Sequence, residues 1–331
     1  MKRLKTLLAA LALTAAAPFA SAVEIVVPAY FYPSWMPELN EWHQLTWAAQ
    51  QGANVTAIMN PSNGPGLSSN SDYVASINEF RAAGGKVIGY VYTCYGVNHC
   101  TPEVPPTRST SEVLADAEKY ASWYHVDGVF LDEMATQPGA LPFYQTVSAG
   151  LKSSHPGWEI VGNPGVTPTA GYNGLANTLM SFEGSYSDFV GGSFLSGLTN
   201  AASTGAIVHS VATVAQMQQV MGLARQYGLG AIYVTDGTMA SGNPYLHLPS
   251  YWQAEVLAAA VPEPESAAML AAGLVLLGIA RRRRAVQGDA GRARTVIRRP
   301  WTRSRCAGRA PSCVGFRSAR QWRNCRRAGR S

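Results

Sequence analysis

Basic residues are scarce over most of this chain. Between positions 23 and 280 there are 6 Lys or Arg against 19 Asp or Glu, so this body carries a charge near −13 although the whole chain is formally +6. Such a body repels phosphate backbones, which argues against DNA or RNA as the main partner, and draws in cationic polymers such as de-N-acetylated amino sugars. Cysteine is sparse too: five in 331 residues, with only Cys94 and Cys100 in the body. The two make no CxxC pair and the six His are scattered without ligand spacing, so no metal site is supported. In an oxidising compartment Cys94 and Cys100 could close a small disulfide loop. No Gly-rich phosphate fingerprint follows the first strand candidate, which weakens a dinucleotide-binding reading, and no cofactor is implied.

Long apolar runs are missing as well, and the two short ones lie near the chain ends. Residues 1–22 have the three parts of a secretory signal peptide: basic Lys2, Arg3 and Lys5, an apolar Leu7–Ala17, and the small-residue site Ala20-Ser21-Ala22. At the other end, Val261-Pro262-Glu263-Pro264 precedes the apolar stretch Ala267–Ala280 and the cluster Arg281–Arg284. That order resembles the PEP-CTERM sorting signal, so residues 261–284 read as an address. The resemblance implies signal peptidase and an exosortase-type sorting machinery as partners, membrane contact through residues 267–280 before processing, and residence at the cell surface or in the extracellular matrix. A plain membrane anchor with its arginines on the cytoplasmic side is the alternative. Residues 285–331 hold 13 Arg and no Lys without strand or helix periodicity, and read as a disordered appendage.

The body, residues 23–260, alternates short apolar runs with helical patterns. Strands are predicted at Ile25–Phe31, Val55–Met59, Val87–Tyr92, Gly128–Leu131, Glu159–Gly162, Thr178–Phe182, Ala206–Val211 and Ala231–Val234. Helices are predicted at Asp72–Ala83, Ser111–Tyr124, Pro142–Ser153 and Val214–Tyr227. Eight such repeats favour an α/β fold of the closed (β/α)8 TIM-barrel kind over an open doubly wound sheet. Chemistry in that architecture gathers at the C-terminal strand ends. The polar and aromatic residues there are Tyr30 and Tyr32, Asn60, Tyr92 and Tyr95, Asp132 and Glu133, Asn163, Glu183 with Tyr186, His209, and Asp236.

The acids stand out because a charged carboxylate at the end of a buried run is costly unless it has work or a partner. Alternation puts Asp132 and Phe130 on one face and Glu133 on the other, so Asp132 is expected to enter the mouth and Glu133 to support it. Ser181 is expected beneath Glu183 on the same face, leaving room under that carboxylate. The tyrosines at strand ends can stack on sugar faces. Asn60 and Asn163 could equally be turn formers before proline, His209 an ordinary strand-end residue, and Asp236 a loop cap.

Taken together, Pro28–Pro33, Asn60–Gly66, Gly89–Thr93, Gly128–Glu133 and Leu248–Trp252 resemble the spherulin-4 (spherulation-specific) family, in collinear order over 24–255. That family is related to glycoside hydrolase family 135. The resemblance implies a (β/α)8 barrel and endo-acting hydrolysis of α-1,4-linked galactosamine or N-acetylgalactosamine polymers. Its acidic pair maps onto Asp132 and Glu133, and its later glutamate onto Glu183. The mechanism expected here is retaining, with Asp132 as nucleophile and Glu183 as acid and base. A non-catalytic exopolysaccharide-binding surface protein, or a hydrolase of a neutral polysaccharide, would keep the same aromatics.

Overall fold

The computed structural model describes residues 23–34, 36, 39–96, 108–260, 273 and 275. The signal-peptide segment, Cys100 and the Arg-rich tail lie outside the described residues, as does the apolar stretch 267–280 apart from Gly273 and Val275. The chain divides into units 1–272 and 273–331, and everything below concerns the first. Among the described residues no helix is long and apolar enough to cross a membrane.

Eight parallel strands close into a barrel in sequence order. They are β1 (Glu24–Ala29), β2 (Val55–Met59), β3 (Lys86–Tyr92), β4 (Gly128–Asp132), β5 (Glu159–Gly162), β6 (Thr178–Ser185), β7 (Thr204–His209) and β8 (Ala231–Val234). The helices are α1 (Glu41–Gln50), α2 (Ser71–Ala82), α3 (Thr110–Tyr124), α4 (Leu141–Ser154), α5 (Tyr186–Gly191), α6 (Val214–Tyr227) and α7 (Trp252–Ala259). The expected (β/α)8 barrel is therefore the architecture of the body. Three helices, α1, α5 and α7, add to the four predicted. The β5–β6 link holds only a 3-10 turn, Ala170–Tyr172, among the described residues.

Local chemistry explains the helix starts. Ser109 and Glu112 form a reciprocal capping box for α3, and Asn40, Asn70 and Thr213 cap α1, α2 and α6 through their side chains. Gly228, in the left-handed region at φ 72°, ends α6. Strand burial is nearly continuous, as parallel strands covered on both faces require.

Two register features set up the mouth. Tyr90 pairs with Phe130 and Tyr92 with Asp132 across β3–β4. On β6 the register jumps between Met180 and Phe182 opposite consecutive Gly205 and Ala206, leaving Ser181 as an unpaired bulge. One inserted residue reverses the alternation beyond it. Without that bulge Glu183 would share the face of Leu179 and point away from the barrel interior; with it, Glu183 enters the mouth. The expectation that Ser181 lies beneath Glu183 on one face is therefore corrected: the bulge separates them. Gly205 is needed opposite, because a Cβ there would meet the Met180 sulfur at 2.3 Å.

One buried acid takes no part in the mouth. Glu255 of α7 is fully buried, and neither carboxyl oxygen makes a hydrogen bond of good geometry, the backbone at Val234 being the one polar group close enough to ease its charge. Burial pushes its pKa well above the usual carboxylate range, and the nearby Asp236 charge adds to this. An acid whose folded pKa is raised contributes most below its unfolded value of about 4.5, and that contribution falls as pH rises towards the folded value. Glu255→Gln should therefore raise the thermal midpoint by ~3 °C or more at pH 7, and by less at pH 4.5. Equal shifts at both pH values, followed by calorimetry, would show that the carboxyl carries no such penalty.

Candidate functional site

The mouth of the barrel holds a cavity of about 480 Å³ whose lining includes Tyr30, Asn60, Tyr90, Asp132, Asn163, Glu183 and Tyr245. Its centre is a single amide. Asn163 Nδ2 donates to Asp132 Oδ1 at 2.9 Å and to Glu183 Oε2 at 2.8 Å. Those two oxygens thus lie at most 5.7 Å apart, the sum of the two bonds. The Asn163 side chain is itself fixed, because its Oδ1 accepts the Gly165 N–H at 3.1 Å.

Each carboxylate has a tyrosine on its other oxygen. Tyr90 Oη donates to Asp132 Oδ2 at 2.8 Å, and Tyr245 Oη donates to Glu183 Oε1 at 2.6 Å. Tyr30 packs edge-on against both rings, at 5.6 Å from Tyr90 and 6.2 Å from Tyr245. Burial, then the charge of Glu183, raises the Asp132 pKa, while the bonds from Tyr90 and Asn163 pull it back. Burial and the nearby carboxylates also hold the Tyr90 and Tyr245 phenols far above their usual value, so both remain donors.

Among the described residues no basic side chain lines this cavity. The six of the body are engaged elsewhere: Arg81 with Asp127, Lys86 with Glu159 and Glu24, Arg108 and Lys119 with Asp116, and Lys152 and Arg225 with the carbonyls of Gly174 and Ala258. The negative charge in the mouth is left for a ligand to meet.

Of the residues the sequence put forward, Asp132, Glu183, Asn163, Tyr30 and Asn60 converge here. Asn60 also caps its own loop, its Oδ1 accepting the Gly64 N–H at 2.8 Å. Glu133 is outside the cavity lining: its backbone is left-handed at φ 53°, and its carbonyl accepts the Tyr95 N–H at 2.8 Å and the Thr93 hydroxyl at 2.8 Å. Burial, then the charge of Asp132, raises its pKa. It holds the β3 loop, in which Cys94, Tyr95 and Gly96 are all left-handed. Burial and then Glu133, Asp132 and Glu183 raise the pKa of half-exposed Tyr95, which places that phenol in the field of the acids.

Other candidates fall away from the centre. Tyr32 donates to Asp72 at 2.6 Å on a neighbouring groove, and Tyr92 lies under the Arg108 guanidinium at 4.0 Å. Tyr186 donates to Gln219 at 2.8 Å, Asp236 accepts from the Ser250 N–H at 3.2 Å, and His209 pairs with Ser210 at 2.9 Å. Asp236 thus makes a loop-capping contact. Cys94 is disulfide-bonded and fully buried, with Cys100 outside the described residues. Among the described residues no cluster of three or more His, Cys, Asp or Glu could hold a metal.

Tyr90 and Tyr245 escaped the sequence. Tyr90 sits two residues before Tyr92, and alternation down β3 from the strand end would have turned it inward with Ile88. Tyr245 lies in the β8–α7 connection, where no periodicity assigns a direction.

Comparison with known proteins agrees with this frame. The family described as spherulation-specific family 4 matches residues 24–259. The PEP-CTERM protein-sorting motif matches residues 260–284. Spherulin-4 of Physarum polycephalum is 30% identical over 248 residues, covering 71% of this chain and 70% of that protein. The crystal structure of Aspergillus clavatus Sph3 in complex with GalNAc superposes with a TM-score of 0.61 at 24% identity, covering 72% of this chain and 98% of that one. The last of these bears on the fold alone.

Proposed function

The chain belongs to spherulation-specific family 4, and from that premise we propose that it is an exported, retaining endo-glycoside hydrolase of galactosamine-containing polysaccharide. One observation carries the reading: Asp132 and Glu183 face each other across the Asn163 amide, with the two bonded oxygens no more than 5.7 Å apart. A retaining pair needs roughly 5–5.5 Å, whereas an inverting pair needs about 6.5–9.5 Å to admit water between them.

In the first half-reaction an Asp132 oxygen bonds to the anomeric carbon. The glycosidic C–O bond breaks and its electron pair stays on the leaving oxygen, which takes the proton from Glu183. In the second half Glu183 accepts a proton from water as the water oxygen bonds to the same carbon and frees Asp132. Tyr90 and Asn163 orient the nucleophile, and Tyr245 orients the acid, each through a bond to the oxygen it already holds. Glu133 supports the site from the side through the β3 loop.

The substrate class follows from charge. A mouth with acids and, among the described residues, no lining cation favours units bearing a protonated amine, so galactosamine-rich polymer fits better than a neutral glucan or galactan. The PEP-CTERM motif supports residence at the cell surface or matrix after sorting, with signal peptidase and an exosortase as processing partners. Incubating the purified protein with partly de-N-acetylated galactosamine polymer and with neutral polymers should release oligosaccharides from the first. Release from the neutral polymers alone would overturn the substrate, and release from none would overturn the enzyme.

A further inference from the structure

Every strand-to-strand link in the described barrel carries an α-helix except β5–β6. The outer face of β6 is consequently covered by two irregular segments, 167–176 and 197–203, with a cavity of about 380 Å³ between them. Leu179 and Ser181 form its floor, both nearly fully buried, and Asn173, Thr199 and Asn200 stand exposed at its rim. No residue lines both this cavity and the mouth.

We propose that this cavity is a second carbohydrate site that holds one uncharged acetamido sugar unit, an N-acetylhexosamine. Its chemistry is the opposite of the mouth's. Hydroxyls and side-chain amides line it together with aliphatic surface from Leu179, Leu198 and Ala176, and among the described residues no charged side chain is present. The amides and hydroxyls match the ring hydroxyls and the acetamide, and the aliphatic patch matches the acetyl methyl. A protonated amine would be desolvated there with nothing to pair it, which is costly. Ser181, which lines the cavity, is 3% exposed as a residue, and its one hydrogen bond is a long 3.4 Å contact to the Leu179 carbonyl, so its hydroxyl retains bonding capacity. Ser181 faces outward with Leu179, and the bulge reverses only the residues beyond it, which turns Glu183 inward.

On a polymer of mixed acetylation the two sites would then sort units, with amine in the mouth and acetamide in the cavity. The cavity reading stands on its own lining and does not need the hydrolytic assignment. The test is a titration of the isotopically labelled protein with N-acetylgalactosamine and with galactosamine, following backbone amide resonances. Those of Ser181, Thr199 and Asn200 should saturate with the acetylated sugar on a curve separate from that of Asn163, and bind galactosamine about tenfold more weakly or less. Ala176→Trp should abolish the cavity curve and spare the Asn163 response. If that variant does not fold, Asn173→Ala with Thr199→Ala should weaken the cavity curve by about fivefold or more. No response around Ser181, equal response to both sugars, or a cavity curve indifferent to these substitutions overturns the proposal. Absence of hydrolysis with the cavity curve intact would overturn the enzyme reading alone.

Discussion

Asp132→Asn and Glu183→Gln should each reduce kcat on galactosamine polymer by ~10³-fold or more while the barrel stays folded. Both substitutions keep side-chain shape and remove a negative charge, so the fold should tolerate them and calorimetry should show an unchanged or higher midpoint. That sign follows from burial. Asp132 is desolvated beside a second carboxylate, which raises its pKa, so its ionised form is a burden on the folded state. The two variants should differ in rescue. Azide can replace the missing nucleophile in an Asp132→Gly background and give a glycosyl azide of inverted configuration. In a Glu183→Ala background azide would intercept the covalent intermediate and give the retained one. Exchange of these outcomes would swap the two roles, and near-normal activity in both charge-neutral variants would remove the carboxylates from the chemistry altogether.

Acidification tests the same pair. Asp132 must be ionised to attack, and its pKa is raised, so the acid limb of kcat/KM should lie above the ordinary aspartate range. Activity falls as pH drops through that raised value.

Asn163→Asp is expected to be nearly as damaging, with kcat lowered by ~10²-fold or more, although the substitution changes few atoms. The amide nitrogen gives one hydrogen to each acid, and no other side chain bonds to both. Replacing it by oxygen removes two charge-assisted donors, each worth about 1.5–3 kcal/mol, and puts a third carboxylate between the first two. The remaining oxygen still accepts the Gly165 N–H, so the loop should survive. The loss should ease at lower pH as the new carboxyl takes a proton. Asn163→Ala lacks that charge and should not show the same pH-dependent recovery. A pH-independent loss common to both variants would mean that Asn163 acts only as a turn former.

Much of this was legible in the sequence because it depends on local order. The eight apolar runs, their spacing and the acids at the ends of β4 and β6 reflect backbone periods of two and 3.6 residues, and those periods appear in the barrel. The departures have specific causes. A β-bulge at Ser181 is a choice of ladder register, which depends on Gly205 and Ala206 of the next strand and not on β6 itself. Counting by twos therefore found Glu183 but gave it Ser181 as a neighbour on the same face. Asn163 read equally well as a turn former, and it is one through Gly165; its donation to two acids depends on closure of the barrel. Tyr245 comes to Glu183 from a loop 62 positions further along, with no pattern in between. Tyr32 and Tyr186 satisfied the strand-end rule yet found partners in Asp72 and Gln219. Helix α7 is short and apolar nearly all round, so it shows little periodicity.

The measurement closest to the heart of this account is the anomeric configuration of the first sugar released, followed by proton NMR before mutarotation. Retention, with the new reducing end in the configuration of the original linkage, is predicted from two carboxylates whose facing oxygens lie no more than 5.7 Å apart across Asn163. Inversion would contradict it, because a water would then have to stand where the Asn163 amide now joins the two acids.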